Sequence, residues 1–239
     1  MLITTNAIVL SKLKYKDNDL IVKCYTEQLG ILSFMLRGVL KSRKGASKTA
    51  YFQLLSQLQI VVVYKQNKSL QTIKETKLNN IYTSLHSNVL KGSIVMFLSE
   101  VLSNTLKEEE QNQELYNYIE NTLLWLDTQQ EYSNFHLLFL LKLTRYLGFY
   151  PDTTEIELPF FNLNEGRFEL KPSDKYSITG ENLTLLKTLL GTKFDALPKV
   201  KISSKQRQAF LSMILLYFEL HLGSFKTPKS LQIFNQVFN

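Results

Sequence analysis

A single cysteine, Cys24, occurs in 239 residues, so the chain cannot close an intramolecular disulfide or build a multi-thiolate zinc site by itself. No apolar run approaches the roughly 18 to 20 residues needed to cross a bilayer. The first ten residues also lack the basic flank and long apolar stretch of a secretory signal, so a cytoplasmic protein is expected. Enzyme signatures are missing as well: there is no glycine-rich Walker loop, no G-x-G-x-x-G turn and no G-x-S-x-G nucleophile elbow. His86, His136 and His221 fall in separate predicted helices without an i, i+4 histidine partner, a pattern of structural residues rather than metal ligands. No catalytic residue, metal or cofactor is expected.

Acids are scarce at the amino-terminal end. Asp17, Asp19, Glu27 and Glu75 are the only four in the first eighty residues, against thirteen Lys and Arg, a balance of +9. The remainder holds fifteen cations and seventeen acids, a balance of −2, so the formal +7 belongs to one end. A one-sided positive field favours a polyanionic partner. With 44% hydrophobic content, the chain can bury the core of one large domain or two modest ones.

The pattern of apolar residues divides the chain near residue 80. Before it, residues 7–10, 20–25, 31–36, 54–64 and 70–74 are rich in Ile, Val, Leu and Tyr and read as five short strands, the number a small closed barrel requires. Gly30 after Thr26-Glu27-Gln28-Leu29 marks a hairpin turn. From about Ile81 the period shifts to near 3.6. Leu85, Val89, Val95, Leu98, Leu102 and Leu106 share one helical stripe that ends at Glu108, Glu109 and Glu110. Leu115, Ile119, Leu123 and Leu126 predict a second helix, and residues 135–147 a third, stopped by Gly148 and Pro151. Residues 152–178, with two prolines and an Asn164-Glu165-Gly166 turn, read as a hairpin or extended insertion. A helix begins near Glu181 and the last long one spans residues 205–222, closed by Gly223. The expected organisation is α+β, with a barrel domain at 1–80 and a mainly helical domain at 81–239.

Cations concentrate in two predicted inter-strand loops. Residues 37–48 carry Arg37, Lys41, Arg43, Lys44 and Lys48 among glycines and small residues, a composition able to follow a phosphate backbone. Lys12, Lys14 and Lys16 form the second cluster, and the two loops could border one groove. Tyr15, Tyr25, Phe34 and Tyr64 interleave with this charge and could stack on bases, but strand aromatics usually pack in cores, and only Tyr15 sits in a predicted loop. Asp17 and Asp19 are read as loop-holding acids. A third group, Lys199, Lys201, Lys205 and Arg207, precedes and enters the last long helix and either extends the polyanion path or only solubilises an exposed helix.

At these residues the chain resembles the RecO family of bacterial recombination mediators. The matching stretches are Ala7-Ile8-Val9-Leu10, then Y-K-D-N-D-L-I-V at 15–22, Tyr25-Thr26-Glu27 with Gly30, and Arg37-Gly38. The apolar helix ending in the 147–151 corner, His221-Leu222-Gly223, and Pro228-Lys229-Ser230 continue the likeness over most of the chain. The resemblance implies an N-terminal OB-fold followed by a helical domain. It further implies binding of single- and double-stranded DNA, annealing of complementary strands and help in loading RecA, with RecR and single-stranded DNA-binding protein as partners. The contact for that protein's tail would be an apolar pocket flanked by a cation.

One departure matters. Many members carry a four-cysteine zinc module where residues 152–178 here have neither cysteine nor histidine. Leu158, Phe160, Phe161, Leu163, Phe168 and Leu170 are expected to form an apolar plug in its place. Two rival readings stay open: an adaptor whose basic barrel binds acidic protein tails, and a metal-dependent nuclease, for which no convergent carboxylate set is evident.

Overall fold

The computed structural model describes residues 1–41, 49–106 and 111–238. Five strands form the barrel: β1 (Leu2–Tyr15), β2 (Asp19–Thr26), β3 (Gly30–Leu36), β4 (Gln57–Val63) and β5 (Leu70–Leu78), closed in the order β1-β2-β3-β5-β4. All pairings are antiparallel except β3 with β5, and this is the strand order of an OB-like barrel. Alternate residues point inward and meet: Ala7, Val9, Val22, Cys24, Phe34, Leu58, Ile60 and Val62 are all buried in one core. Burial pushes the Cys24 thiol well above its ordinary range, which keeps it protonated and inert. Gly30 adopts φ 64° at the β2–β3 reversal, as the hairpin requires.

Two helices, α1 (Val89–Thr105) and α2 (Gln113–Thr128), belong to the same compact unit, which comprises residues 1–128 with 228–230. The barrel strands end at Leu78, and compactness groups α1 and α2 with the barrel. The link between them is fixed by Asp127. Its carboxylate accepts from the backbone N–H of Thr83, Ser84 and Leu85 at 2.7 to 2.8 Å, and its carbonyl accepts from the buried Lys91 Nζ at 2.8 Å. Helix α1 starts at Val89 because Asn88 caps it, Oδ1 accepting from Lys91 N at 3.1 Å. His86, expected in this helix, lies in the turn before it, with Nε2 2.9 Å from Leu54 O.

The second unit, residues 129–227 with 231–239, holds α3 (Phe135–Tyr146), α4 (Gly180–Leu190), α5 (Ser204–His221) and α6 (Leu231–Val237). Helices α3 and α4 both pack on α5. The insertion is a three-stranded sheet of β6 (Phe160–Asn162), β7 (Arg167–Glu169) and β8 (Ser177–Ile178), ordered β7-β6-β8. Gly166 at φ 68° makes the expected turn. Of the expected plug, Phe161, Leu163 and Phe168 are buried, Leu158 and Phe160 partly so, and Leu170 points to solvent.

Beside the plug lies a polar network that the sequence did not announce. Buried Asn162 accepts from Asn164 N at 2.8 Å and Glu165 N at 3.0 Å and donates to Ser173 Oγ at 2.8 Å. Glu169 accepts from Ser173 N, Ser173 Oγ and Ser177 Oγ. This donor set of amide, hydroxyl and one carboxylate does not fit a thiolate zinc module.

Candidate nucleic-acid interface

Two bulges decide where the barrel's lysines point. In β1, Val9 pairs with Cys24 and Ser11 with Lys23, so Leu10 is the extra residue. In β5, Ile73 pairs with Val62 and Glu75 with Val61, leaving Lys74 as the extra one. Lys12 and Lys14, expected in a loop, therefore stand on a strand that runs on to Tyr15, and only Lys16 is in the turn. The polar composition of 11–16 hid this: lysines are tolerated on a strand with one edge open to water. After the bulge Lys12 faces the same side as its partner Val22, and Lys14 the same side as Leu20.

That side opens into a groove of about 590 Å³ between the end of β3, the β4–β5 loop and β5. Apolar Leu36, Val39, Phe52 and Ile73 form its floor, and exposed Arg37, Lys65, Lys68 and Lys74 line its rim. No Asp or Glu lines it among the described residues. Tyr51, 37% exposed, adds a ring at the rim. Strand register ties the lysine ribbon to this groove: Lys14 pairs with Leu20 and Leu20 with Leu36, so Lys14 lies two strand spacings, roughly 10 Å, from a floor residue.

Both arms of the groove are held by side chains that do not themselves line the rim with charge. Buried Gln71 accepts from Lys65 N at 2.9 Å and donates to Lys65 O at 2.8 Å and Lys68 O at 2.6 Å, fixing the loop that presents both lysines. Asp19 Oδ1 accepts from Gly38 N at 2.7 Å, and Asn18 O from Leu40 N at 3.1 Å, fixing the exit of β3 beside Arg37. The reading of Asp19 as a loop-holding acid thus has a geometric basis.

Of the predicted aromatics, Tyr25 and Phe34 are buried in the unit's core and Tyr64 packs against the barrel; Tyr15 alone is exposed, with Lys16 Nζ 5.5 Å from its ring centroid. Lys41 is exposed beyond the β3 turn, while Arg43, Lys44 and Lys48, like Glu108 to Glu110, lie outside the described residues. Lys65, Lys68, Lys74 and Tyr51 were not singled out from sequence. The available signal was the lysine-rich turn between the fourth and fifth strands; what the sequence hides is the parallel β3–β5 pairing that sets it beside Arg37.

In the second unit the four predicted cations separate. Lys201 pairs with Glu131 at 3.2 Å on the surface, and partly buried Arg207 donates from Nε to Asn134 Oδ1 at 3.1 Å, whereas Lys205 is exposed. Lys199 and Lys201 border a pocket of about 470 Å³ whose apolar lining is Leu185, Val200 and Ile202. His221 stacks on Phe149 with Nε2 2.9 Å from Leu163 O, and His136 is wholly buried, so neither is placed to ligate a metal. Among the described residues no group of three or more His, Cys, Asp or Glu could hold a metal ion, and no helix is long and apolar enough to cross a membrane.

A closed five-stranded barrel followed by a helical region, with a cation-rimmed groove that no acid lines among the described residues, defines the class: an OB-like barrel protein with a helical C-terminal region. Residues 1–82 match the family described as Recombination protein O N terminal, and residues 86–231 match Recombination protein O C terminal. The chain is 49% identical over 238 residues to the DNA repair protein RecO of Christiangramia forsetii, covering 100% of both chains. It is 43% identical to that of Flavobacterium johnsoniae and 35% identical to that of Phocaeicola vulgatus, again over 100% of each. The chain belongs to the recombination protein O family.

Proposed function

We propose that this protein is a non-enzymatic recombination mediator of DNA repair, acting in the cytoplasm, that binds DNA in the barrel groove, anneals complementary strands and assists RecA loading. The observation that carries the reading is the rim of Arg37, Lys65, Lys68 and Lys74 over an apolar floor with no acid among its described residues. Lys12, Lys14 and Lys16 extend this track across the barrel, with Lys41 and the basic residues Arg43, Lys44 and Lys48 following Arg37 in the chain. Phosphates neutralised by such a track repel a second strand less, so annealing follows while base pairing alone reads sequence. RecR and single-stranded DNA-binding protein are the proposed partners. The pocket of Leu185, Val200 and Ile202 bordered by Lys199, which Glu181 also lines, is the seat proposed for the latter's tail, as an apolar pocket flanked by a cation.

The test is annealing of complementary strands precoated with the cognate single-stranded DNA-binding protein. The intact chain should accelerate it, and the triple variant Lys65→Glu, Lys68→Glu, Lys74→Glu should not. Equal acceleration by both proteins would remove the groove from the account, and binding of acidic peptide but not oligonucleotide would favour an adaptor.

A further inference from the structure

We propose that the β1–β2 ribbon is a stacking pin, whose exposed Leu13 and Tyr15 pack on the last base pair where a single strand held along the lysines leaves a duplex. The inference rests on the DNA-binding reading above and adds the substrate class, a single-strand to duplex junction.

The ribbon outruns the barrel. Strand β4 pairs β1 only over residues 2–8, so beyond Ser11 β1 has β2 as its one partner strand among the described residues, and residues 12–17 are all exposed. The bulge at Leu10 sets which face carries what. Had the alternation of Ala7 and Val9 continued unshifted, residues 11, 13 and 15 would share the barrel's inner side and the lysines would face away from it. With the extra residue, Lys12 and Lys14 take the groove side. Leu13 and Tyr15 take the other, across from Ile21 and Asp19. Leu13 is left 65% exposed and Tyr15 40%, at a place where the chain has lysines in alternate positions. Bulges that re-aim side chains in this way recur beside functional sites.

The two faces answer to the two parts of a junction. A strand running along Lys12 and Lys14 toward the groove must part from its complement at the ribbon, and the surface beyond it is an aliphatic side chain beside an aromatic ring. Both can lie flat on a base pair, and Lys16, over the Tyr15 ring, is placed to neutralise the adjoining phosphate. An acidic protein strand would satisfy the lysines and leave the Leu13–Tyr15 face bare. A junction uses both.

The experiment uses the full chain and a duplex with a single-stranded tail, carrying 2-aminopurine at the terminal pair next to the tail or, as control, in mid-duplex. The junction probe should respond at saturation and the mid-duplex probe should not. The tailed duplex should bind about tenfold more tightly than the tail sequence alone, equivalent to ~1.4 kcal/mol and near the lower end of one stacked base. Leu13→Ser with Tyr15→Ser should erase the junction signal and bring the ratio of tailed-duplex to tail affinity to about one. Tyr15→Ala alone, which removes one exposed ring, should diminish both. Equal response of the two probes, or a preference surviving in the double variant, would overturn the pin and leave the groove standing. Failure of the intact chain to bind any oligonucleotide would remove the DNA reading and the pin together. Preferential binding of poly-glutamate would assign the ribbon to a protein partner instead.

Discussion

Replacing His136 by leucine should leave stability near neutral pH unchanged or raised, and should remove a specific acid sensitivity. The ring is wholly buried in α3, and neither nitrogen has a hydrogen-bond partner among the described residues. Burial, helped by the nearby Arg207 guanidinium, pushes its pKa down from 6.5 to about 3. Between those values the unfolded chain binds a proton that the folded chain does not. Stability therefore falls as pH falls below about 6.5, by ~1.4 kcal/mol per pH unit. At about pH 4.5 the group alone accounts for roughly 2.7 kcal/mol relative to pH 7. Against this, leucine forfeits the edge-on contact with Phe234, whose ring centroid is 4.7 Å away, worth ~0.5 to 1.5 kcal/mol. It also abolishes two unpaired buried nitrogens, each costing ~1 to 3 kcal/mol in lost solvation. The net at pH 7 is close to zero or stabilising. Urea midpoints by circular dichroism at about pH 7 and pH 4.5, for both proteins, give the difference in acid sensitivity directly. Equal loss on acidification in the two proteins would refute the reasoning.

Three further outcomes follow from individual side chains. Asp127→Asn keeps one acceptor oxygen for three backbone N–H groups and should cost ~1 to 2 kcal/mol in urea unfolding. Although burial opposes it, hydrogen bonding from Thr83, Ser84 and Leu85 lowers the Asp127 pKa from 3.8 to about 2, so its contribution is complete above about pH 4 and fades as pH falls toward 2, a fading the variant should lack. Gln71→Ala should release the β4–β5 loop, weakening oligonucleotide affinity several-fold without altering net charge, as read by fluorescence anisotropy; unchanged affinity would mean the loop does not present Lys65 and Lys68 to DNA. Elemental analysis should find no stoichiometric zinc, whereas Asn162→Ala should lower the melting temperature by removing acceptors from Asn164 and Glu165; bound zinc would displace the polar network as the insertion's anchor.

The five strands of the barrel were legible because alternating apolar residues with turn residues between them leave few other solutions, and the Gly30 and Gly166 reversals because positive φ selects glycine. The length of β1 was not, since Lys12, Lys14 and Lys16 read as loop when viewed without the strand beside them. Bulges leave almost no trace in sequence, yet those at Leu10 and Lys74 aim the groove's lysines. Lys65 and Lys68 were visible only as part of a charge excess, because their meeting with Arg37 depends on a pairing between strands more than thirty residues apart. The helices were read well from their 3.6 period, but Leu85 and His86 were counted into α1. Both precede its cap, and Leu85 is buried there because Asp127 holds its backbone. Three of the six expected plug residues, Phe161, Leu163 and Phe168, are fully buried and Leu170 is exposed, since composition does not reveal which apolar side chain faces inward.

The central claim is that the barrel's cationic groove grips a nucleic acid backbone, and a titration of labelled single-stranded oligonucleotide across a range of salt tests it most directly. With seven cations engaged, Arg37, Lys65, Lys68, Lys74, Lys12, Lys14 and Lys16, affinity should fall about 10³-fold between about 50 and 200 mM salt. Truncating Lys65, Lys68 and Lys74 to alanine should flatten the logarithmic slope by about 2. Absence of binding in dilute buffer, or a slope untouched by that triple truncation, would contradict the account.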